Sequence, residues 1–251
     1  MLALTHLPSP HMAACLRMQA DAPPIDGQVA ARQHAEYRRM LRRCGATLRV
    51  LRANRRYPDC VFIEDTAVVL DEAAILCSMG HSSRRGEPAG IEPVLRRYRE
   101  ICRIELPATI DGGDVLRVGR RLIVGLSRRT NVAAAGLLST IAGRYGYEVA
   151  PVAVTGCLHL KSACTALPDG RLLANPAWVD CSALRQFELV PIPAGEPKAA
   201  NVALVGETVC AAAGHPQTVD LLRNLGFHVV TTDLSEFAKA DGCVTCLSLL
   251  L

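Results

Sequence analysis

A short unit of strand, helix and strand recurs along this chain, and the recurrence constrains the fold more than any single motif does. Residues 27–44 carry apolar side chains at helical spacing among arginines, and ATLRVLRA follows as a strand. CVFIEDTAVVL and EAAILC read as strands, and IEPVLRRYREIC (91–102) as a helix with Pro93 near its start. DGGDVLRVGRRLIVGL reads as a hairpin that turns at Gly119–Arg120. A helix is expected over 130–144, then strand YEVAPVAV, then strands HLKSACTAL and RLLANP around a turn at Pro168–Gly170. NVALVGETVCAA is strand-like, PQTVDLLRNL is helical from Pro216, and GFHVVTT is a strand. LSEFAKA is a short helix and CVTCLSLLL a last strand. Polar points at Asp59–Asp65, Asp111–Asp114, His159 and the stretch from Asn201 arrive at intervals of roughly fifty residues. Sheet-plus-helix units of this period predict an α/β chain arranged radially or as a solenoid. A doubly wound sheet would want longer helices after nearly every strand, and hairpins are too frequent here for that.

No linker divides the sequence, so residues 1–251 are read as one domain. Hydrophobic residues make up 50% and charged residues 21%, which excludes a disordered chain. The net charge, 28 − 24 = +4, is spread among interleaved acids and gives no nucleic-acid footprint. No apolar run is long enough to span a membrane as a helix. MLALTHLPSPHMAAC lacks a basic segment and carries two prolines, so no signal peptide is read and a cytoplasmic location is expected. Eleven irregularly spaced cysteines argue for reduced thiols rather than a disulfide scaffold.

Four tracts carry polar groups where a strand should be apolar. Glu64–Asp65 interrupts CVFIEDTAVV, and strand alternation would expose only one of the two acids, so a paired or ligand-binding role is expected. Asp111-Gly112-Gly113-Asp114 is either a turn or a place where backbone approaches a ligand closely. His159 is the one histidine in a tract that otherwise reads as an inner strand. Cys243 and Cys246 form a C-x-x-C, but no further ligands complete a zinc set, and strand geometry would point the two sulfurs apart. One thiol, one histidine and several acids make a nucleophile–base constellation.

PDCVFIEDTAVV (58–69), SSRRGE (82–87), IDGGDVL (110–116), GLSRRTN (125–131), LHLKSACT (158–165) and DGCVTCLSLL (241–250) together resemble dimethylarginine dimethylaminohydrolases, of the guanidine-modifying pentein superfamily. The matches fall in order from about Leu16 to the end. The resemblance implies a five-bladed α/β propeller with pseudo-fivefold symmetry. It implies Cys246 as nucleophile, His159 as general acid and base, and Asp111 as the acid that orients it, where the family often has Glu. Asp65 matches the carboxylate that clamps the guanidinium, with Glu64 and Asp59 at neighbouring substrate-contacting positions. Arg84 and Arg129 match the pair that holds the substrate's α-carboxylate and amino end, Leu16 a lid residue, and Ala240 a backbone contact where valine is expected. His159-Leu160-Lys161 lacks the second acid of the His-x-Asp of arginine deiminases, which leaves room beside one guanidino nitrogen.

The expected activity is hydrolysis of Nω-methylated L-arginine to L-citrulline and an alkylamine, with no cofactor, no metal, no nucleic acid and no membrane partner. A deiminase of free arginine, or another guanidine-modifying hydrolase, is the rival enzyme. A non-catalytic guanidine-binding protein is the rival of another class. The Ala-rich face over 130–144 suits a homodimer contact as well as packing on its own sheet.

Overall fold

Five three-stranded sheets are built one after another, in a computed structural model that describes residues 1–18 and 21–251. In the first, β1 (Leu2–His6) leads into α1 (Gly27–Arg43) and the chain returns parallel as β2 (Thr47–Leu51). The second holds β3 (Ala67–Val69), β4 (Ala73–Leu76), α2 (Glu87–Leu95) and β5 (Glu100–Arg103). The third holds β6 (Val115–Val118), β7 (Arg121–Leu126), α3 (Val132–Gly143) and β8 (Glu148–Ala153). The fourth opens on a single helical turn, α4 (Leu160–Ala163), before β9 (Cys164–Ala166), β10 (Leu172–Ala174) and β11 (Leu189–Pro191). Its crossover shrinks to a 3-10 turn at Cys181–Leu184. The fifth holds β12 (Ala203–Val205), β13 (Thr208–Ala212), α5 (Pro216–Asn224) and β14 (Val229–Thr232). After α6 (Ser235–Ala238), β15 (Leu249–Leu250) pairs antiparallel with β1, Ala3 opposite Leu250, and completes the first sheet. In every sheet the middle strand has one antiparallel and one parallel neighbour. This is the five-bladed α/β propeller that the family resemblance implies, and one of the radial arrangements that the repeat predicts.

The core follows the same symmetry. Leu4, Ile63, Leu76 and Ile91 fill the space between the first and second sheets. Ile75, Val115, Val124 and Leu138 fill the next interface, then Ile123, Leu160 and Leu172. Leu173, Val209 and Leu222 follow, and Ala3, Met40, Val205 and Phe237 close the circle. Burial of apolar surface between successive blades, rather than one central core, holds the ring. The first helix shows how sequence builds a unit. Asp26 caps it by accepting from the Gln28 and Val29 amides, and Ala30, His34, Tyr37 and Leu41 bury at helical spacing.

Several strand boundaries differ from the sequence reading. Residues 60–70, 159–167 and 243–251 each begin with a tight turn, at Ile63–Thr66, Leu160–Ala163 and Thr245–Leu247, and only then become strand. A turn lets consecutive polar residues face one side, which a pleated strand forbids. The second helix starts at Glu87, with Pro88 in its first turn, instead of at residue 91. Pro93 lies inside it, and the helix ends at Leu95; the following residues turn back to pair with β4.

Tyr37 joins the first helix to the last turn: its hydroxyl donates to the Val244 carbonyl at 3.0 Å and shares a 2.8 Å bond with Ser248. Tyr37→Phe removes both of these buried side-chain hydrogen bonds. Thermal unfolding should show a loss of about 1–2 kcal/mol, with Tm lowered by roughly 2–8 °C.

Candidate active site

Each innermost strand is entered through a tight turn, and those turns carry the polar residues. Glu64 and Asp65 precede β3, Asp111 and Asp114 precede β6, His159 caps α4 before β9, Asn201 precedes β12, and Cys246 precedes β15. Hydrogen bonds link the turns in a closed circuit. Asp65 accepts from the Gly113 amide at 3.0 Å, and Asp114 accepts from the Leu160 amide at 2.9 Å. The Asn201 amide donates to the Lys161 carbonyl at 2.8 Å and to the Thr245 hydroxyl at 2.9 Å. The Thr245 hydroxyl donates to Glu64 at 2.7 Å, which returns the circuit to its start. The two glycines make the approach feasible. A Cβ on Gly112 would lie 2.2 Å from the Glu64 carbonyl oxygen, and one on Gly113 would lie 2.6 Å from His159 Nδ1. The backbone therefore approaches the site's own side chains here.

His159 is the electrostatic centre. Its Nε2 lies 3.2 Å from Asp111 Oδ2, and its Nδ1 lies 3.7 Å from Asp65 Oδ1. Burial opposes its charge, but Asp65, Asp114 and Asp111 outweigh burial and lift its pKa to about 9. Near neutral pH it is an imidazolium. Asp65, though buried, is held below the usual carboxylate range by His159 and Arg84. Cys246 is 9% exposed. Its thiol is pushed well above the usual range by a hydrogen bond with Cys243, by burial, and by the Glu64 and Asp65 charges.

One small pocket gathers Leu16, Asp59, Asp65, Arg84, Arg129, His159, Ala240 and Cys246, which the sequence singled out, together with Phe62, Leu158, Asp241 and Gly242. Its free volume is about 20 Å³, room for one water. The segment over it is tied down twice: the Leu16 amide donates to Asp59 at 3.0 Å, and the Met18 amide to Asp241 at 2.9 Å. Burial raises the pKa of Asp59. Arg129 is partly accessible and reaches Asp111 at 3.3 Å. Asp111 lies behind His159 and also accepts from the Gly80 amide at 2.8 Å.

Two expected contacts sit differently. Glu64 does not line this pocket: its carboxylate is taken by Lys161 and Thr245, and it borders a separate cavity of about 350 Å³. Arg84 reaches the pocket with its fork already engaged, by Glu87 at 2.8 and 3.1 Å, by Asp65 at 2.6 Å and by the Phe62 carbonyl at 2.9 Å. The sequence reading singled out the Asp111–Asp114 tract but gave Asp114 no role; fully buried, it accepts from Ser127, Thr130 and Leu160 and so fixes both the Arg129 loop and the start of α4. It also missed Asp241, at φ 56°. The signal for Asp114 was present, an acid directly before an apolar strand. Asp65, Asp111 and His159 bring donor atoms within 4.8 Å of one another, a spacing that suits a metal. An imidazolium among them repels a cation, so the set fits a metal poorly near neutral pH.

Fold and site define a pentein, the propeller class built from five such units. A family model described as "N,N dimethylarginine dimethylhydrolase, eukaryotic" matches residues 18–162. The chain is 39% identical over 254 residues to an N(G),N(G)-dimethylarginine dimethylaminohydrolase of Streptomyces coelicolor, covering 99% of this chain and 96% of that one. A solved dimethylarginine dimethylaminohydrolase adduct with S-methyl-L-thiocitrulline superposes with a TM-score of 0.94 at 33% identity, covering 98% of each chain. A Cys-to-Ser mutant of the Pseudomonas aeruginosa enzyme complexed with citrulline gives 0.91 at 32%, covering 98% of this chain and 97% of that one. The chain belongs to the dimethylarginine dimethylaminohydrolase family.

The raised His159 value has a stability consequence. A folded pKa near 9, against an ordinary 6.5, means that the ion cluster stabilises the fold fully below about pH 6.5 and loses that contribution as pH rises through about 9. The Tm advantage of the native chain over His159→Gln should shrink steadily between about pH 6 and pH 10. An advantage that grows with pH would contradict the assignment.

Proposed function

We propose that this protein hydrolyses Nω-methylated L-arginine to L-citrulline and methylamine or dimethylamine. The observation that carries the reading is the shared pocket of Cys246, His159 and Asp65, on family-matched turns. Asp65 clamps the guanidinium through charge-assisted hydrogen bonds. The arriving cation offsets the Glu64 and Asp65 charges that help to hold the Cys246 proton, and the thiol ionises, releasing its proton to water. The thiolate adds to the guanidinium carbon. His159, charged at rest, protonates the methylated nitrogen, and the alkylamine leaves. The same imidazole then takes a proton from water, which adds to the thiouronium carbon. Collapse expels Cys246 and leaves the ureido group of citrulline. Asp111 orients the imidazole.

Arg129, the freer of the two arginines, takes the α-carboxylate, with the Leu16 and Ala240 backbones at the amino end and Asp59 holding Leu16 in place. Arg84 serves chiefly by holding Asp65, and Glu64 by holding Thr245 beside the nucleophile. Methylated arginine is favoured over arginine because the third residue of the His-x-x tract, Lys161, turns to Glu64 and adds no second carboxylate to the pocket. The eleven free thiols suit a reducing compartment, and we place the reaction in the cytoplasm. No described helix is long and apolar enough to cross a membrane.

Citrulline and amine release, measured with L-arginine, monomethyl-L-arginine and asymmetric dimethyl-L-arginine, tests the reading. The methylated substrates should be turned over best, and Cys246→Ala should lose turnover on the order of 10⁴-fold or more while keeping its fold. Ammonia from arginine as the main product would make this a deiminase, and full activity in Cys246→Ala would remove the proposed nucleophile.

A further inference from the structure

Cys243 has no part in the hydrolysis described above, yet it is built against the nucleophile. The segment is not a strand, so the two sulfurs are not sent to opposite faces. Cys243 leads directly into the 3-10 turn at Thr245–Leu247, and its amide donates to Cys246 Sγ at 3.4 Å. Cys243 lies one residue before the turn's N-cap, Val244, and this contact folds Cys246 Sγ back onto the Cys243 backbone, so both cysteines belong to one tight turn. The sulfurs differ in access. Cys246 faces the small substrate pocket, whereas Cys243 is half-buried and borders a separate cavity of about 500 Å³ with Cys157, Trp178, Lys198 and Asp241.

We propose that Cys243 and Cys246 form a dithiol modification site, in which a hydroperoxide entering the larger cavity oxidises the pair to a disulfide and switches the nucleophile off. Cys243 is the thiol attacked first. Its hydrogen bond with Cys246 lowers its pKa, with a smaller contribution from Lys198, and its thiolate is the nucleophile toward peroxide. The thiolate sulfur bonds to the distal peroxide oxygen, the O–O bond breaks, and the departing alkoxide or hydroxide takes a proton. Cys243 is then a sulfenic acid. Cys246 sulfur attacks the Cys243 sulfur, the S–O bond breaks, and hydroxide leaves with the Cys246 proton as water. Two electrons pass from the dithiol to the peroxide. A dithiol reductant reverses the change through a mixed disulfide on Cys243, the more accessible sulfur.

The loss of activity rests on Cys246 being the nucleophile; the bridge itself does not. The full-length reduced protein is treated with stoichiometric hydrogen peroxide, assayed for citrulline release before and after dithiothreitol, and mapped by non-reducing peptide mass spectrometry. The native chain should lose activity, recover it with dithiothreitol, and yield a Cys243–Cys246 peptide lacking two hydrogens. Cys243→Ser, compared with its own untreated activity, should lose the rescuable inactivation. Rescue of Cys243→Ser equal to that of the native chain would overturn the proposal. So would a bridge mapped instead to Cys157–Cys243, or to Cys44–Cys210, whose sulfurs lie 3.8 Å apart. No bridge at all would overturn it too. A mapped Cys243–Cys246 bridge in a protein that stays active would sustain the modification site and remove Cys246 from the hydrolytic mechanism.

Discussion

The hydrogen-bonded circuit through the five entry turns carries the rest of the structure. Each blade alone is a three-stranded sheet too small to be stable, and each acquires a core only against its neighbours. The turns at the inner end of each blade then have buried backbone and side-chain groups that water cannot reach. They satisfy one another instead, from Asp65 to Gly113, from Asp114 to Leu160, and through Asn201 and Thr245 back to Glu64. Polar groups at a propeller axis are costly singly and stable as a complete circuit. The chemistry is a by-product of that completeness, because the same turns that close the ring hold the thiol, the imidazole and the carboxylates.

The resting charge state follows from this placement. Three buried aspartates around His159 keep a proton on the imidazole, and a hydrogen bond with Cys243, burial and the Glu64 and Asp65 charges keep the proton on Cys246. In the proposed mechanism the site at rest has its acid armed and its nucleophile disarmed. A cation placed among the carboxylates then offsets the Glu64 and Asp65 charges at sulfur, so the substrate's own charge acts as the trigger. A neutral molecule of the same shape supplies no such offset, and discrimination against it needs no steric device.

Much of this was legible in the sequence, and the rest was hidden for definable reasons. Period and hairpin frequency pointed to repeated units, and the Gly119–Arg120 turn fell where two β-rich runs required it. The acids within CVFIEDTAVV could be recognised as anomalous because alternation cannot expose or hide both. What alternation could not reveal was that the polar residues lie in turns, since a one-turn 3-10 segment between apolar residues has no periodicity of its own. That error sent Cys243 away from Cys246, and hid that Lys161 reaches Glu64. Roles set by who is already paired were also out of reach. Arg84 and Arg129 look equivalent in sequence, and the buried Glu87, Asp65 and Phe62 carbonyl that already occupy Arg84 separate them.

The fourth blade crosses over through the one-turn segment Cys181–Leu184, where each of the others has a helix of at least two turns. Its middle strand still pairs fully with β9 and β11, so the short connection does not weaken the sheet. The crossover runs from Ala174 at the end of β10 to Leu189 at the start of β11 and contributes no residue to the pocket that holds His159 and Cys246. For protein engineering, that makes this crossover the natural port for a grafted module: a domain spliced between the exposed Arg185 and Gln186, past the buried Leu184, would leave the hub alone.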